Sequence, residues 1–299
     1  MRVVSLLPAA TEIVAALGAE GSLVGISHEC DWPPSIRQLP RVTATPIDAS
    51  RLSGAIDAAV RRLHAEGRPV IGVDGALLAA LRPDLILTQD LCDVCAVVDG
   101  DVRALTAPLD PAPALLPLRA RTLEGIFEDA VAVGAALGVV DEARELVAGL
   151  RRRLERLDRG DAGPRPRVVC LEWLDPIYLA GHWVPEVIEA AGGRDVGAEP
   201  GAHSRRTTIE EVEALGPELI LVAPCGFDLA RAGREYAAFE EAVRKAGGRP
   251  PSAWGAPVWL IDGNAFTSRP GPRVVDGAER IAGALSGRGQ EGIRRWRVR

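Results

Sequence analysis

Lysine is almost missing from this chain. Lys245 is the single lysine among 35 basic residues, against 41 acidic ones, for a net charge of −6. That balance excludes a general nucleic-acid binder, which needs a basic face to displace counterions. Long hydrophobic runs are also lacking. The best, Ala130 to Val140, is closed off by Asp129 and Asp141 and falls short of the ~18 apolar residues of a membrane span. Val3 to Ala10 resembles the core of a short export signal, but Pro8, Thr11 and Glu12 interrupt it and only Arg2 precedes it. The chain is therefore expected to stay in the cytoplasm; the periplasm or cell surface is the alternative if the true start lies upstream. Five cysteines, an odd number, argue against a disulfide framework. No G-x-G-x-x-G follows the first strand. There is no P-loop, no G-x-S-x-G and no H-E-x-x-H, since His28-Glu29 lacks the second histidine. These absences move weight from catalysis to binding.

Two stretches are present twice, in the same order. Arg2-Val3-Val4-Ser5-Leu6 returns as Arg167-Val168-Val169-Cys170-Leu171. Ala80-Leu81-Arg82-Pro83-Asp84-Leu85-Ile86-Leu87 returns as Ala214-Leu215-Gly216-Pro217-Glu218-Leu219-Ile220-Leu221. In 299 residues, 47% of them hydrophobic, a unit that recurs once suggests two similar lobes, each with its own core. Two lobes make a cleft, and clefts bind ligands.

Short Val-, Leu- and Ile-rich runs alternate with amphipathic segments, which reads as a mostly parallel sheet with helices in each lobe. Helices are expected over Thr11–Leu17, Leu52–His64, Leu77–Leu81, Thr122–Leu137 and Asp141–Leu157. The last would be about 25 Å long at ~1.5 Å per residue, enough to join two lobes. The expected division is an N-terminal α/β lobe over 1–121, connecting helices over 122–160, a C-terminal α/β lobe over 161–286, and a flexible Gly- and Arg-rich tail over 287–299.

Ligands of open α/β sheets sit beyond the carboxyl ends of the strands, and the loops there are rich in chemistry. The first lobe offers Pro8, His28, Trp32 and Gln89; the second offers Trp173, Trp183, Phe227, Asn264 and Arg269. Trp32, Trp173 and Trp183 present flat faces suited to an extended π system, or else cap the core of their own lobe. His28 and His182 offer an imidazole to a metal centre, or a loop hydrogen bond. Arg269 suits an acidic group. Cys92-x-x-Cys95, with Cys30 and Cys225 on other loops, is open to three readings: a zinc or iron site, a redox dithiol, or small apolar fillers. A cysteine-dependent metal-binding or redox enzyme is thus the alternative to a binding protein.

Several blocks together carry a family resemblance. They are Ser5-Leu6-Leu7-Pro8-Ala9-Ala10-Thr11-Glu12, Arg82-Pro83-Asp84-Leu85-Ile86-Leu87 and Ser268-Arg269-Pro270-Gly271-Pro272-Arg273, with His28-Glu29-Cys30-Asp31-Trp32-Pro33, Leu91-Cys92-Asp93-Val94-Cys95 and Glu172-Trp173-Leu174-Asp175-Pro176 between them. From Arg2 to about Leu285 the chain resembles the iron-chelate and vitamin B12 class of ABC-transporter substrate-binding proteins, and more narrowly the cobalamin-binding proteins. The resemblance implies the class III fold: two Rossmann-like α/β lobes, mostly parallel sheets, one long connecting helix and a shallow cleft. It implies a cobalamin or a ferric chelate as ligand rather than as catalytic cofactor, delivery to an ABC permease, and a monomer that does not itself span the membrane. In such proteins an aromatic residue beyond the Leu85–Leu87 strand often contacts the ligand; here the position is near Gln89. Docking carboxylates in that loop would be Asp90 and Asp93.

Overall fold

The computed structural model describes residues 1–90, 99–157 and 164–297. The chain divides into two compact units. The first comprises Met1–Arg51, Ala58–Ala120 and Glu124–Gly149; the second comprises Leu52–Asp57, Arg121–Leu123 and Leu150–Arg299.

In the first unit, β1 (Val3–Ser5), β2 (Leu23–Ile26), β5 (Leu85–Gln89) and β6 (Ala114–Leu118) form a parallel sheet in the order β2-β1-β5-β6. A small antiparallel pair, β3 (Thr43–Ala44) and β4 (Gly72–Val73), lies apart from it in the pairing. The helices lying wholly or mostly in this unit are α1 (Pro8–Ala16), α2 (Ser53–Ala65), α3 (Gly75–Leu81), α4 (Asp99–Thr106), α5 (Leu123–Leu137) and α6 (Val140–Glu155). Helix α1 starts before Thr11, because Pro8 suits the first helical position, where no N–H is needed. Asp141 lies inside the first turn of α6 rather than capping it. Val4, Leu6, Val42, Leu78, Ile86 and Val102 make the core. Val4 and Leu6 share one face of their strand by its period of two.

The second unit is built on β7 (Arg167–Leu174), β8 (Ile177–Leu179), β9 (Arg194–Asp195), β10 (Arg205–Arg206), β11 (Leu219–Val222), β12 (Val258–Ile261) and β13 (Ile293–Arg295). Their order is β10-β8-β7-β11-β12-β13, with β9 added beside β7. The centre is parallel, while β8, β10 and β13 are antiparallel additions. Both outer strands, β10 and β13, carry an exposed arginine pair, Arg205-Arg206 and Arg294-Arg295. The helices are α7 (Val184–Ala190), α8 (Ile209–Ala214), α9 (Leu229–Lys245), α10 (Gly263–Phe266) and α11 (Val274–Leu285). Helix α8 opens on a full capping box, Thr208 with Glu211. The core gathers Val169, Leu171, Ile220, Val222, Tyr236 and Leu260 among others.

The sequence repeat reappears as a repeated register. Val3, Val4 and Ser5 face Leu85, Ile86 and Leu87; Val168, Val169 and Cys170 face Leu219, Ile220 and Leu221. The flanking staple is repeated too. The Arg2 N–H donates to Asp84 at 2.6 Å and its guanidinium to the Leu81 carbonyl at 2.8 Å. The Arg167 N–H donates to Glu218 at 2.8 Å, and its guanidinium to the Gly216 and Leu215 carbonyls. An arginine at or just before the start of the strand thus ties off the turn that feeds its neighbour.

Two expectations need correcting. The tail over 287–299 was expected to fray, yet β13 pairs with β12 and the Trp296 N–H donates to the Val258 carbonyl at 2.8 Å. Ile293 and Trp296 supply the apolar anchors, with the Trp296 ring 5.2 Å from that of Tyr236. The other concerns residues 52–57, which interrupt the first unit in sequence and belong with the second. There the backbone N–H of Ser53 donates to both oxygens of buried Glu235, at 3.1 and 3.2 Å, and its hydroxyl donates to the same carboxylate. Gly54 is needed beside it, since a Cβ would run into the Asp175 carboxylate.

Candidate functional site

In the first unit, the carboxyl ends of β1, β2 and β5 carry the predicted residues. Pro8 is half-buried at the start of α1. Gln89 ends β5 and is buried, paired in register with Leu118. Trp32 is 44% exposed, one of few large apolar side chains at the surface. The loop after β2 is held from below by Arg41, whose guanidinium donates to the carbonyls of Ser27 (2.8 Å), His28 (3.4 Å) and Cys30. His28 is fixed at two points, its backbone N–H and its Nδ1 lying 2.9 and 2.7 Å from the Thr43 hydroxyl. That hydroxyl donates in turn to Ser27 Oγ at 3.1 Å. Burial lowers the His28 pKa below its ordinary value; Glu29 opposes the shift and Arg41 adds to it.

In the second unit, four predicted residues join in one chain of contacts. The Trp173 and Phe227 rings meet edge to face, centroids 5.5 Å apart. The Phe227 carbonyl accepts the Asn264 N–H at 3.1 Å, and Asn264 Oδ1 accepts from the Arg269 guanidinium at 2.7 Å. Cys225 belongs to the same loop cluster, its N–H donating to the Glu172 carbonyl at 3.0 Å. Arg231, which the sequence reading passed over, lays its guanidinium 3.3 Å from the Phe227 ring centroid, a cation–π contact. Its only sequence signal is its place three residues after the helix cap Asp228, whose carboxylate accepts the Arg231 N–H.

Trp183 is placed differently from the expectation of a ligand-facing ring. It is 5% exposed, and its indole N–H donates to the Thr267 carbonyl at 2.8 Å. Packing inside the second unit leaves its faces little surface for a ligand. Its neighbour His182 holds a left-handed backbone (φ 54°), an uncommon conformation for a non-glycine residue. Its ring meets His203 edge-on at 5.2 Å. Burial lowers its pKa, helped by His203 and Arg121. Nothing in the sequence linked His203 to it. His203, but not His182, lines a cavity of about 420 Å³ whose walls include Arg194, Asp195, Glu199 and Arg205.

The thiols divide. Cys30 is buried, with its Sγ 3.1 Å from the Thr11 hydroxyl, which donates to Ser5 Oγ at 2.8 Å. Cys170 is buried and its pKa is pushed well up by desolvation, which makes it inert. Cys225 is half-buried. Cys92, Cys95 and Asp93 lie outside the described residues. Among the described residues, no group of three or more His, Cys, Asp or Glu side chains could hold a metal ion, and no helix is long and apolar enough to cross a membrane. Asp90 forms an exposed ion pair with Arg119 at 3.4 Å.

Comparison with known proteins points one way. The family model described as periplasmic binding protein matches residues 3–246. The vitamin B12-binding protein of Vibrio cholerae is 23% identical over 283 residues, covering 94% of this chain and 87% of that one. Among solved structures, a periplasmic heme-binding protein from Pseudomonas aeruginosa superposes with a TM-score of 0.72 at 20% identity, covering 100% of this chain and 98% of that one. The periplasmic vitamin B12-binding protein of Vibrio cholerae gives 0.63 at 22% identity, with 95% and 96% covered. These findings correct the cytoplasmic expectation: the matching family and its solved neighbours are periplasmic. Residues Val3–Ala16, whose polarity suggested retention, form β1 and α1 of the folded unit, so they carry no information about export.

Proposed function

The chain belongs to the periplasmic binding protein family, and from that premise we propose that it captures a corrinoid or a related metal chelate and hands it to an ABC permease. Its relatives are ligand carriers, described as binding vitamin B12 or heme, which leaves the reading of a cysteine-dependent enzyme without support. The observation that carries the proposal is the cluster at the carboxyl edge of the second sheet. Trp173 stands half-buried on one loop, its ring meeting edge to face, at 70°, that of Phe227, which is buried (1% exposed) and backs it from the adjoining loop; half-buried Asn264 and buried Arg269 complete the cluster. The exposed part of the Trp173 ring, bordered by polar groups, suits a large flat macrocycle with a polar rim. Pro8, His28, Trp32 and Gln89 are the corresponding contacts at the carboxyl edge of the first sheet. Titration with cobalamin, hemin and ferric siderophores, followed by visible absorbance and calorimetry, tests the reading. Saturable binding of one of them is the expected result. No binding of any at tens of micromolar would overturn it.

A further inference from the structure

We propose that the cavity beside β9 is a second binding site, separate from that of the chelate, and that it takes a small anion carrying two or more carboxylate or phosphate oxygens. The cavity measures about 420 Å³, within the range of small-molecule sites. It arises from the way the sheet is extended. β8 pairs with the carboxyl half of β7, β9 with its first two residues, and β10 with β8. The chain after β9 therefore steps outward from the flank of β7 to the flank of β8, and residues between Val196 and His203 line the hollow. Arg167 lines it too and begins β7, with Trp173 six positions further on. At ~3.3 Å per residue the two are about 20 Å apart along the strand, so the anion and the chelate do not compete for one place.

Charge sets the ligand class. The whole chain has 41 acidic residues against 35 basic ones. The cavity reverses that balance: Arg167, Arg194, Arg205 and His203 face two acids, Asp195 and Glu199. Arg194 makes no side-chain hydrogen bond or ion pair among the described residues. Arg205 gives its Nε to the Gly197 carbonyl at 3.4 Å, and its Nη1 stands 3.9 Å from the Glu211 carboxylate in an exposed pair of little worth. Both guanidinium groups can thus turn a fork of N–H donors to a carboxylate or phosphate. Arg167 spends Nε and one terminal nitrogen on the Gly216 and Leu215 carbonyls and adds its charge.

The walls are set before a ligand arrives, which lowers the ordering cost of binding. Asp195 Oδ1 holds the N–H groups of Gly197 and Ala198. The Gly201 N–H donates to the His182 carbonyl at 2.9 Å, the His182 N–H to the Ala202 carbonyl at 2.6 Å, and the His203 ring rests edge-on against that of His182. Asp195 couples the site to pH. Around it stand Glu189 on α7, Cys170 on β7, Glu199 in the loop, and the three arginines and His203 of the cavity. Its carboxyl is pushed up to about 6, chiefly by burial. Below that pH it is neutral and no longer repels an anion.

The test titrates the full chain by calorimetry with pyrophosphate and with citrate. Saturable binding of one of them, with a Kd of about 1 mM or tighter, is expected; the better ligand tells phosphate from carboxylate chemistry. The double variant Arg194→Gln/Arg205→Gln changes two exposed side chains. It is expected to weaken that binding about 10-fold or more, through the loss of charged donors, with its thermal melt and its binding of hemin and cobalamin unchanged. Sulfate, doubly charged throughout, is the probe for Asp195. At pH 8 Asp195→Asn is expected to bind sulfate about 5- to 10-fold more tightly than the original, the effect of removing one charge within about 6 Å in a water-like dielectric. At pH 5, where the original carboxyl is protonated, the two are expected to converge. Failure of both pyrophosphate and citrate to bind at roughly 10 mM, an unaltered affinity in the double variant, or an Asp195→Asn protein that binds sulfate no more tightly at pH 8 overturns the inference. Each of these failures leaves the chelate reading standing, since that rests on the other end of the sheet.

Discussion

Asp195 is the half-buried acid whose removal has the clearest consequence. It ends β9, beside the start of β7, and its Oδ1 accepts the N–H groups of Gly197 (2.7 Å) and Ala198 (3.1 Å). Its Oδ2 is buried with no hydrogen-bond partner among the described residues. Desolvation dominates, the two N–H donors oppose it, Glu189 and Glu199 add to it, and the pKa rises from 3.8 to about 6. The folded protein therefore holds this proton more tightly than the unfolded chain does. Between pH ~4 and ~6 the unfolded state has lost the proton while the folded state keeps it, so stability falls as pH rises through this window and levels off above it. Each pH unit between the two values corresponds to about 1.4 kcal/mol. The whole effect is then up to about 3 kcal/mol, a large share of the ~5–15 kcal/mol that holds a domain together. Asp195→Asn keeps an oxygen for the two N–H donors and cannot ionise. Urea unfolding of both proteins from pH 4 to 8 is expected to show the variant gaining on the original as pH rises, by about 1.5–3 kcal/mol in total. A difference between the two that stays flat across this range would refute the reasoning.

Other perturbations separate ligand contact from scaffold. Trp173→Ala is expected to weaken binding of the chelate at least several-fold, while Trp254→Ala leaves it unchanged, because the Trp254 indole donates to the nearby Arg249 carbonyl and lies outside the loop cluster; calorimetric titration of both checks this. Trp183→Phe leaves the Thr267 carbonyl without its donor, and denaturant melts should show a loss of about 1–3 kcal/mol. Glu235→Ala strips the acceptor from two Ser53 donors in a buried setting, with an expected loss of about 2–5 kcal/mol in the same assay. Glu235→Gln should recover part of it.

What could be read from the sequence was what repeats or alternates. The doubled Val-Val and Leu-Ile-Leu runs led to four strands whose registers match pair by pair. The loops at their carboxyl ends led to Trp173, Phe227, Asn264 and Arg269, which do meet. Short strands were illegible. β9 and β10 have two residues each, too few for any period, and the placing of Asp195 follows from β9. Trp183 could not be told from Trp173 by its neighbours in sequence; what distinguishes it is a carbonyl 84 positions away. The same holds for Ser53, whose partner Glu235 lies 182 positions downstream. Arg231 and His203 acquire meaning only through rings brought to them by the fold.

An open sheet ends in unpaired backbone groups that invite another molecule's strand. In the second unit the strands at the two ends of the strand order, β10 and β13, refuse it by the same device. A visiting chain that tried to extend the sheet at Arg205-Arg206 or at Arg294-Arg295 would have to seat itself among guanidinium groups. Two copies meeting edge to edge would bring like charge against like charge. Like charge on these two strands therefore works against edge-to-edge pairing of second-unit sheets.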